Sequence, residues 1–197
     1  VGDGMRQTKG LAARFFNSLA QARVNNVAIA QGSSERSIST VIESKRAKKA
    51  VRVIHQNFFS DRHTIDVFLV GCGNVGTELL SQIAKQQPAL LKRNIQLRVY
   101  GIANSRKLLL DKHGIDVSND WKGKLEEATA SFSIEAVANF VNDNSLVNPV
   151  IVDCTSHEAV ATQYVEMMEN GFHVVTPNKK ANTGSLGYYR QLKKTAL

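Results

Sequence analysis

Three glycines, Gly71, Gly73 and Gly76, stand at G-x-G-x-x-G spacing directly after the apolar run Ile65-Asp66-Val67-Phe68-Leu69-Val70. Between a strand and a helix, each glycine has its own task. One permits a tight turn, one lets the backbone approach a pyrophosphate, and one lets helix pack closely on strand. The phosphates would sit at the helix N-terminus, where unpaired N–H groups and the positive end of the dipole favour anions. Glu78 to Gln87 continue as a helix that Pro88 helps to end. The chemistry predicted is dinucleotide binding.

Such folds usually hold the adenosine ribose hydroxyls with an Asp or Glu at the end of the second strand. The corresponding stretch here, Gly101-Ile102-Ala103-Asn104-Ser105-Arg106-Lys107, has no acid. A 2′-phosphate wants positive charge with hydroxyl or amide donors, so these residues favour NADP, or acceptance of both NADP and NAD. An ordinary solvated loop with two basic residues is the alternative. Thr155 and Ser156 follow the apolar stretch Pro149 to Cys154 at the strand edge where ligands bind in open α/β sheets. Their hydroxyls can contact a cofactor or simply cap a helix. Lys179, in Thr176-Pro177-Asn178-Lys179-Lys180 after the next strand, can polarise a carbonyl or hold an anionic substrate, or stand in solvent.

The elements that must position these residues alternate. Strands are expected at Ile65–Val70, Ile95–Ala103, Pro149–Cys154 and Phe172–Thr176, with helices at Ile134–Val141 and at His157–Asn170, the latter capped by Gly171. Alternation predicts an α/β unit, a doubly wound parallel sheet of the Rossmann type over residues 65–197. The polar segment Asp111 to Ser133 reads as an excursion outside the core. Ser60 to Thr64 is polar, and residues 61–64 read as a linker. Before it, Leu11, Ala12, Phe15, Phe16 and Leu19 fall at helical spacing. Val27–Gln31 and Ser37–Ile42 form a hairpin candidate. Ala47, Ala50, Val51, Ile54 and Phe58 mark a second helix. Val1-Gly2-Asp3-Gly4 reads as a strand end running into a turn. Residues 1–60 thus predict a small α+β layer with helices on one face of an antiparallel sheet, marginal on its own.

Composition bounds the partners. The chain has 197 residues and is 43% hydrophobic, which suits a globular core. No run approaches the roughly 18 apolar residues of a membrane span. Net charge is +8, but 10 of the Lys and Arg against 3 Asp and Glu fall before Asp61. The run Lys45-Arg46-Ala47-Lys48-Lys49 reads as the solvated face of an amphipathic helix. The other reading, a nucleic-acid patch, lacks interleaved aromatics. Cys72 and Cys154 offer no disulfide framework and suit a reducing, intracellular compartment; the location expected is the cytoplasm, or the plastid in a plant. The five histidines have no metal-ligand spacing. Both ends read as cut, so an internal piece of a longer protein is expected.

Four stretches together resemble homoserine dehydrogenase: Gly71 to Gly76, Ala103 to Ser105, Val150 to Ser156, and Gly171 to Asn182. Upstream, Val1 to Met5 with Val27 to Ser39 resembles the regulatory ACT module of aspartokinase. Both in this order resemble the threonine-sensitive type of bifunctional aspartokinase/homoserine dehydrogenase. The resemblance implies interconversion of L-homoserine and L-aspartate 4-semialdehyde with NADP or NAD, in threonine and methionine biosynthesis. It implies that Asn74 and Val75 join the glycines under the phosphates, and that Ala103 and Asn104 lie near the adenosine ribose. Thr155 and Ser156 lie near the dinucleotide, and Lys179 lies at cofactor and substrate. It also implies a regulatory contact of Gln31 with threonine, and a homo-oligomer contact through the first third. Pro177 departs from the alanine many relatives carry. A kinase domain before Val1 and a substrate domain after Leu197 are implied, so the 197-residue chain alone is expected to lack turnover. The alternative is a module that senses nucleotide and amino acid without catalysis.

Overall fold

The computed structural model describes residues 1–33, 35–60 and 62–196; Ser34 of the ACT-like stretch, Asp61 of the predicted linker and the final Leu197 lie outside the described residues. The chain divides into two compact units, Val1–Asp61 and Arg62–Leu197.

In the first unit, helix α1 (Leu11–Gln21) packs on a later helix, and its Leu19 is fully buried. Strands β1 (Ala28–Gln31) and β2 (Ile38–Val41) pair antiparallel, with Ala28 opposite Val41 and Gln31 opposite Ile38. The hairpin is as the alternation predicts. Helix α2 (Ala47–Phe59) buries Ala50 and Val53. Asn57 joins the two helices, its Nδ2 donating to Ser18 Oγ and to Gln21 Oε1, each at 2.9 Å. No strand forms at Val1–Gly4. Asp3–Gln7 is a 3-10 turn, and Gly2 N–H donates to Arg36 O at 2.9 Å. Two glycines in four residues leave a strand with little side chain to pack.

Among the described residues the second unit is built on a five-stranded sheet. Its elements are β3 (His63–Val70), α3 (Asn74–Lys92), β4 (Ile95–Ala103), β5 (Leu108–Leu110), α4 (Trp121–Glu127), α5 (Ile134–Asp143), β6 (Pro149–Asp153), α6 (Glu158–Ala161), α7 (Tyr164–Glu169), β7 (His173–Val175), α8 (Lys180–Thr183) and α9 (Leu186–Thr195). Strand order is β5-β4-β3-β6-β7, with β5 antiparallel and the rest parallel. Alternation along β3 sends Phe68 and Val70 into one core with Ile151, Tyr164 and Met167. Val67 and Leu69 enter another with Leu80, Ile83 and Trp121. Both faces are therefore covered, as a mostly parallel sheet requires. On β4 an extra residue, Tyr100, falls between the partners of Val67 and Phe68, a bulge that reverses the alternation.

Four expectations are corrected here. Pro88 does not end its helix, which runs on to Lys92. Proline removes one backbone bond, but Leu90 and Leu91 are half-buried and Gln87 Nε2 donates to Leu97 O at 3.2 Å, holding the last turn on β4. The helix expected over His157–Asn170 is two helices. Gln163 N–H bonds Val160 O in a tightened turn, and the Thr162 hydroxyl donates to Ala159 O at 3.1 Å, competing with the helical pattern. Gly171, at φ +93°, does terminate α7, with Phe172 N–H on Met167 O and Gly171 N–H on Met168 O. The segment Asp111 to Ser133 is no excursion, because Ile115, Trp121 and Leu125 are buried in the core. Finally, β5 adds an antiparallel edge to a sheet expected to be all parallel.

Candidate functional site

From β3 the chain moves outward to β4 and β5, then returns to lay β6 on the other side of β3. This reversal leaves a crevice beyond the carboxyl ends of β3 and β6, the place where open α/β sheets bind ligands. A cavity of about 630 Å³ lies there, lined by Gly71, Gly73, Asn104, Thr155 and Ser156 among others. That size lies within the usual range of ligand sites.

The glycines differ in what surrounds them. Gly71 adopts φ +100°, and a Cβ on it would lie 2.7 Å from Thr155 Cγ2 and 2.9 Å from Thr155 N. At Gly76 a Cβ would come within 1.9 Å of Gly71 O, so the first turn of α3 rests directly on the loop. A Cβ at Gly73 would meet nothing within 4 Å. Gly73 is also the N-cap of α3, and no side chain caps that helix. The first N–H groups of a 19-residue helix therefore start at open space. A pyrophosphate fits this arrangement.

Asn104 closes the second strand with an Asx turn. Its Oδ1 accepts from Arg106 N and Lys107 N, both at 2.8 Å, so its Nδ2 is left to donate outward. Arg106 is exposed, and Asn104 through Lys107 border an open hollow of about 600 Å³ with Glu126. Lys107 Nζ donates to the Glu126 carbonyl. Ser156 is not a helix cap: the N-cap of α6 is His157, whose N–H bonds Thr155 Oγ1 at 3.3 Å.

The structure thus gathers Gly71, Gly73, Asn104, Thr155 and Ser156 around one cavity. Asn74, Val75 and Gly76 form the adjoining first turn of α3. Ala103 is buried beneath, its carbonyl accepting from Gly71 N–H at 2.8 Å and Cys72 Sγ at 3.2 Å. Arg106 stands on the neighbouring hollow. Lys179 is exposed at the start of α8 and does not line the cavity. In the first unit, Gln31 borders a separate small cavity of about 160 Å³ with Met5, Thr8 and Leu11. Sequence reasoning missed Ser131, Phe132 and His157 on the cavity wall. Phe132, a lone aromatic at the end of a polar stretch, was the available signal.

Both thiols are resting groups. Burial, then the nearby Cys154, pushes Cys72 up to about 11, and burial raises Cys154 as well. Each is protonated at neutral pH and poorly nucleophilic. Among the described residues no three His, Cys, Asp or Glu cluster as metal ligands, and no helix is long and apolar enough to cross a membrane.

Fold and site together define a dinucleotide-binding domain of the doubly wound α/β class. Residues 71–197 match the family model of the homoserine dehydrogenase NAD-binding domain, and residues 1–58 match that of an ACT domain. The chain belongs to the homoserine dehydrogenase family. It is 52% identical over its full length to a bifunctional aspartokinase/homoserine dehydrogenase of Haemophilus influenzae, covering 24% of that protein. Over 98% of its length it is 41% identical to the chloroplastic bifunctional enzyme 2 of Arabidopsis thaliana, covering 21%. The chain therefore spans about a quarter of the length of the curated relatives it matches. In fold it is similar to homoserine dehydrogenase of Thermoplasma acidophilum (TM-score 0.52, 21% identity, 68% of this chain and 41% of that one). It is also similar to a hyperthermophilic archaeal homoserine dehydrogenase in complex with NADPH (TM-score 0.50, 24% identity, the same shares).

Proposed function

We propose that residues 65–197 form the cofactor half of a homoserine dehydrogenase within a longer bifunctional aspartokinase/homoserine dehydrogenase. Residues 1–60 are then part of its ACT regulatory region; of the link expected at 61–64, His63 and Thr64 already belong to β3, paired with Ile95 and Gln96, so the link is shorter than the polar run suggests. The full protein interconverts L-homoserine and L-aspartate 4-semialdehyde, in the cytoplasm or, in a plant, the plastid. The observation that carries the reading is the open space at Gly73 in front of an uncapped helix. The nicotinamide cofactor supplies the hydride transfer. This chain's part is to bind and orient: the α3 N–H groups and Gly73 take the phosphates, and Thr155 and Ser156 wall the crevice. Arg106 and Ser105 meet a 2′-phosphate, and Lys179 serves the substrate side once the rest of the protein encloses it. Gln31, beside a cavity small enough for a single amino acid, serves threonine. Exposed Val27, Ile29 and Val41 on the hairpin suit a contact with another copy.

Titration of the 197-residue chain with NADPH and NADH tests this. NADPH is expected to bind more tightly, and Arg106→Ala to weaken NADPH about tenfold while sparing NADH, as loss of one charge-assisted contact does. Binding of neither nucleotide by a chain with native circular dichroism overturns it.

A further inference from the structure

Asp153 ends β6 with a side chain that is completely buried, and among the described residues no cation pairs with it. A carboxylate in such a place must be held by donors, and three reach it. Oδ1 accepts from Thr155 N–H at 2.7 Å. Oδ2 accepts from Tyr164 Oη at 2.5 Å and from Asn178 Nδ2 at 3.2 Å. The Asp153 carbonyl accepts the Thr176 hydroxyl at 3.0 Å, and Thr176 Oγ1 in turn receives Asn178 N–H at 2.8 Å and lies 2.9 Å from Tyr164 Oη. Asn178 Nδ2 also reaches His157 O at 3.1 Å, and its Oδ1 takes Lys180 N–H at 3.1 Å.

The two oxygens of this one carboxylate face different work. Oδ1 shapes the turn that puts Thr155 and Ser156 on the cavity wall. Oδ2 grips the loop from Thr176 to Lys180, in which Asn178 is buried and Lys179 stands free in solvent. Nothing else in that loop is buried, so the depth of Asn178 sets where the neighbouring lysine emerges. We propose that Asp153, with Tyr164, is a positioning residue: it ties the cofactor wall to the Thr176–Lys180 loop and so fixes Lys179 relative to the bound nucleotide. The proposal rests on the functional reading above.

Asp153→Asn tests it, because an amide keeps the shape but offers one acceptor where two are needed. With its oxygen toward Thr155 N–H, its NH₂ faces the donors of Tyr164 and Asn178. Tyr164→Phe is the milder variant, removing one donor only. Two readouts are taken on the full-length protein. Without nucleotide, amide hydrogen exchange at Asn178 and Lys180 is expected to quicken about tenfold in Asp153→Asn, while the first turns of α3 exchange as before. With NADPH bound as tightly as in the wild type, within about twofold, kcat for homoserine is expected to fall about tenfold or more, and a few-fold in Tyr164→Phe. In a Lys179→Ala background the Asp153→Asn loss should largely vanish, since the carboxylate acts through that lysine. Unchanged exchange at Asn178 and Lys180 overturns the proposal, as does an undiminished loss of kcat in the Lys179→Ala background. A wild type that binds NADPH but does not oxidise homoserine defeats the functional reading instead, and the exchange result still decides the positioning role.

Discussion

The two units of the chain leave different things open. In residues 62–197 both faces of the sheet are covered, and the exposed opening is the carboxyl edge, built from glycine, hydroxyls and the N–H groups of α3. In residues 1–61 the opening is a strand. All of β1 is exposed, and Val27, Ile29 and Val41 show 57–70% of their surface. An edge of backbone donors suits a small anion, whereas an apolar strand surface suits protein cover. The core differs in proportion: among the described residues, five buried apolar ones, Leu19, Ala22, Val24, Ala50 and Val53, hold the first unit.

The largest effect is expected where the second unit is tightest. Gly76→Ala would drive a Cβ to 1.9 Å from Gly71 O, a backbone atom that cannot rotate away. Either the loop or the helix must shift, at a cost of roughly 3 kcal/mol, and NADPH affinity should fall about 100-fold with it. Gly73→Ala meets open space, so its melting temperature should stay near that of the wild type while NADPH binding weakens, the added methyl standing where phosphate belongs. Calorimetry and thermal melts of the pair decide it. Wild-type affinity in Gly76→Ala would mean the edge is not built by this joint.

A second test sets the cores against each other. Leu19 and Leu80 are both fully buried, and truncating either to Ala should cost about 3 kcal/mol. The larger core absorbs such a loss and the smaller does not. Leu80→Ala is therefore expected to lower the melting temperature of residues 62–197 with the fold intact. Leu19→Ala should make residues 1–60 open to limited proteolysis. Resistance of that segment in Leu19→Ala would show that more than its own core holds it.

How much of this was readable follows the same division. Wherever apolar residues run together or repeat at one period, as in Ile65–Val70, Ile95–Ala103 and the faces of α1 and α2, the elements lie where the pattern puts them. The glycine turn was equally legible, because few residue types fit such a loop. Trp121 and Leu125 escaped notice because each stands among polar residues, and only the tertiary fold brings them to Ile83 and Leu80. Pro88 misled because propensity is local while the half-buried Leu90 and Leu91 that carry the helix past it act through packing. Asp153 was invisible as a hub. Its partners Tyr164, Thr176 and Asn178 are 11, 23 and 25 residues away, and no period links them.

A smaller effect separates two helix starts. Ser133 caps α5, its Oγ accepting from Ala136 N–H at 3.1 Å, whereas α3 has no such cap. Ser133→Ala should cost about 1 kcal/mol in a denaturant melt without altering NADPH affinity, since the Ser133 hydroxyl is spent on the Ala136 N–H of its own helix. Altered affinity would place α5 in the binding site.

The smallest and most discriminating effect is in alkali, where the units should respond with opposite signs. Burial raises Cys72 from 9.0 to about 11, and burial followed by the Asp153 contact raises Tyr164 above its ordinary 10.0. Folding thus favours their protonated forms. That stabilisation is complete below pH 9 and drains away as pH climbs through about 11, with Tyr164 extending the loss upward. In the first unit burial, then Arg46 and Arg23, lowers Lys49 below its ordinary 10.5. The folded state there favours the neutral amine, so the Lys49 contribution grows as pH rises toward 10.5 and is lost as pH falls through the lowered value. Between pH 8 and 11, the Lys49 contribution to unit 1–61 should therefore rise while those of Cys72 and Tyr164 to unit 62–197 decline. Hydrogen exchange read separately over the two units follows each. Cys72→Ala should flatten the decline in the second unit and Lys49→Met the rise in the first. A decline untouched by Cys72→Ala would move its cause from the thiol in the glycine turn to the groups beside Asp153, Cys154 and Tyr164, which burial also raises.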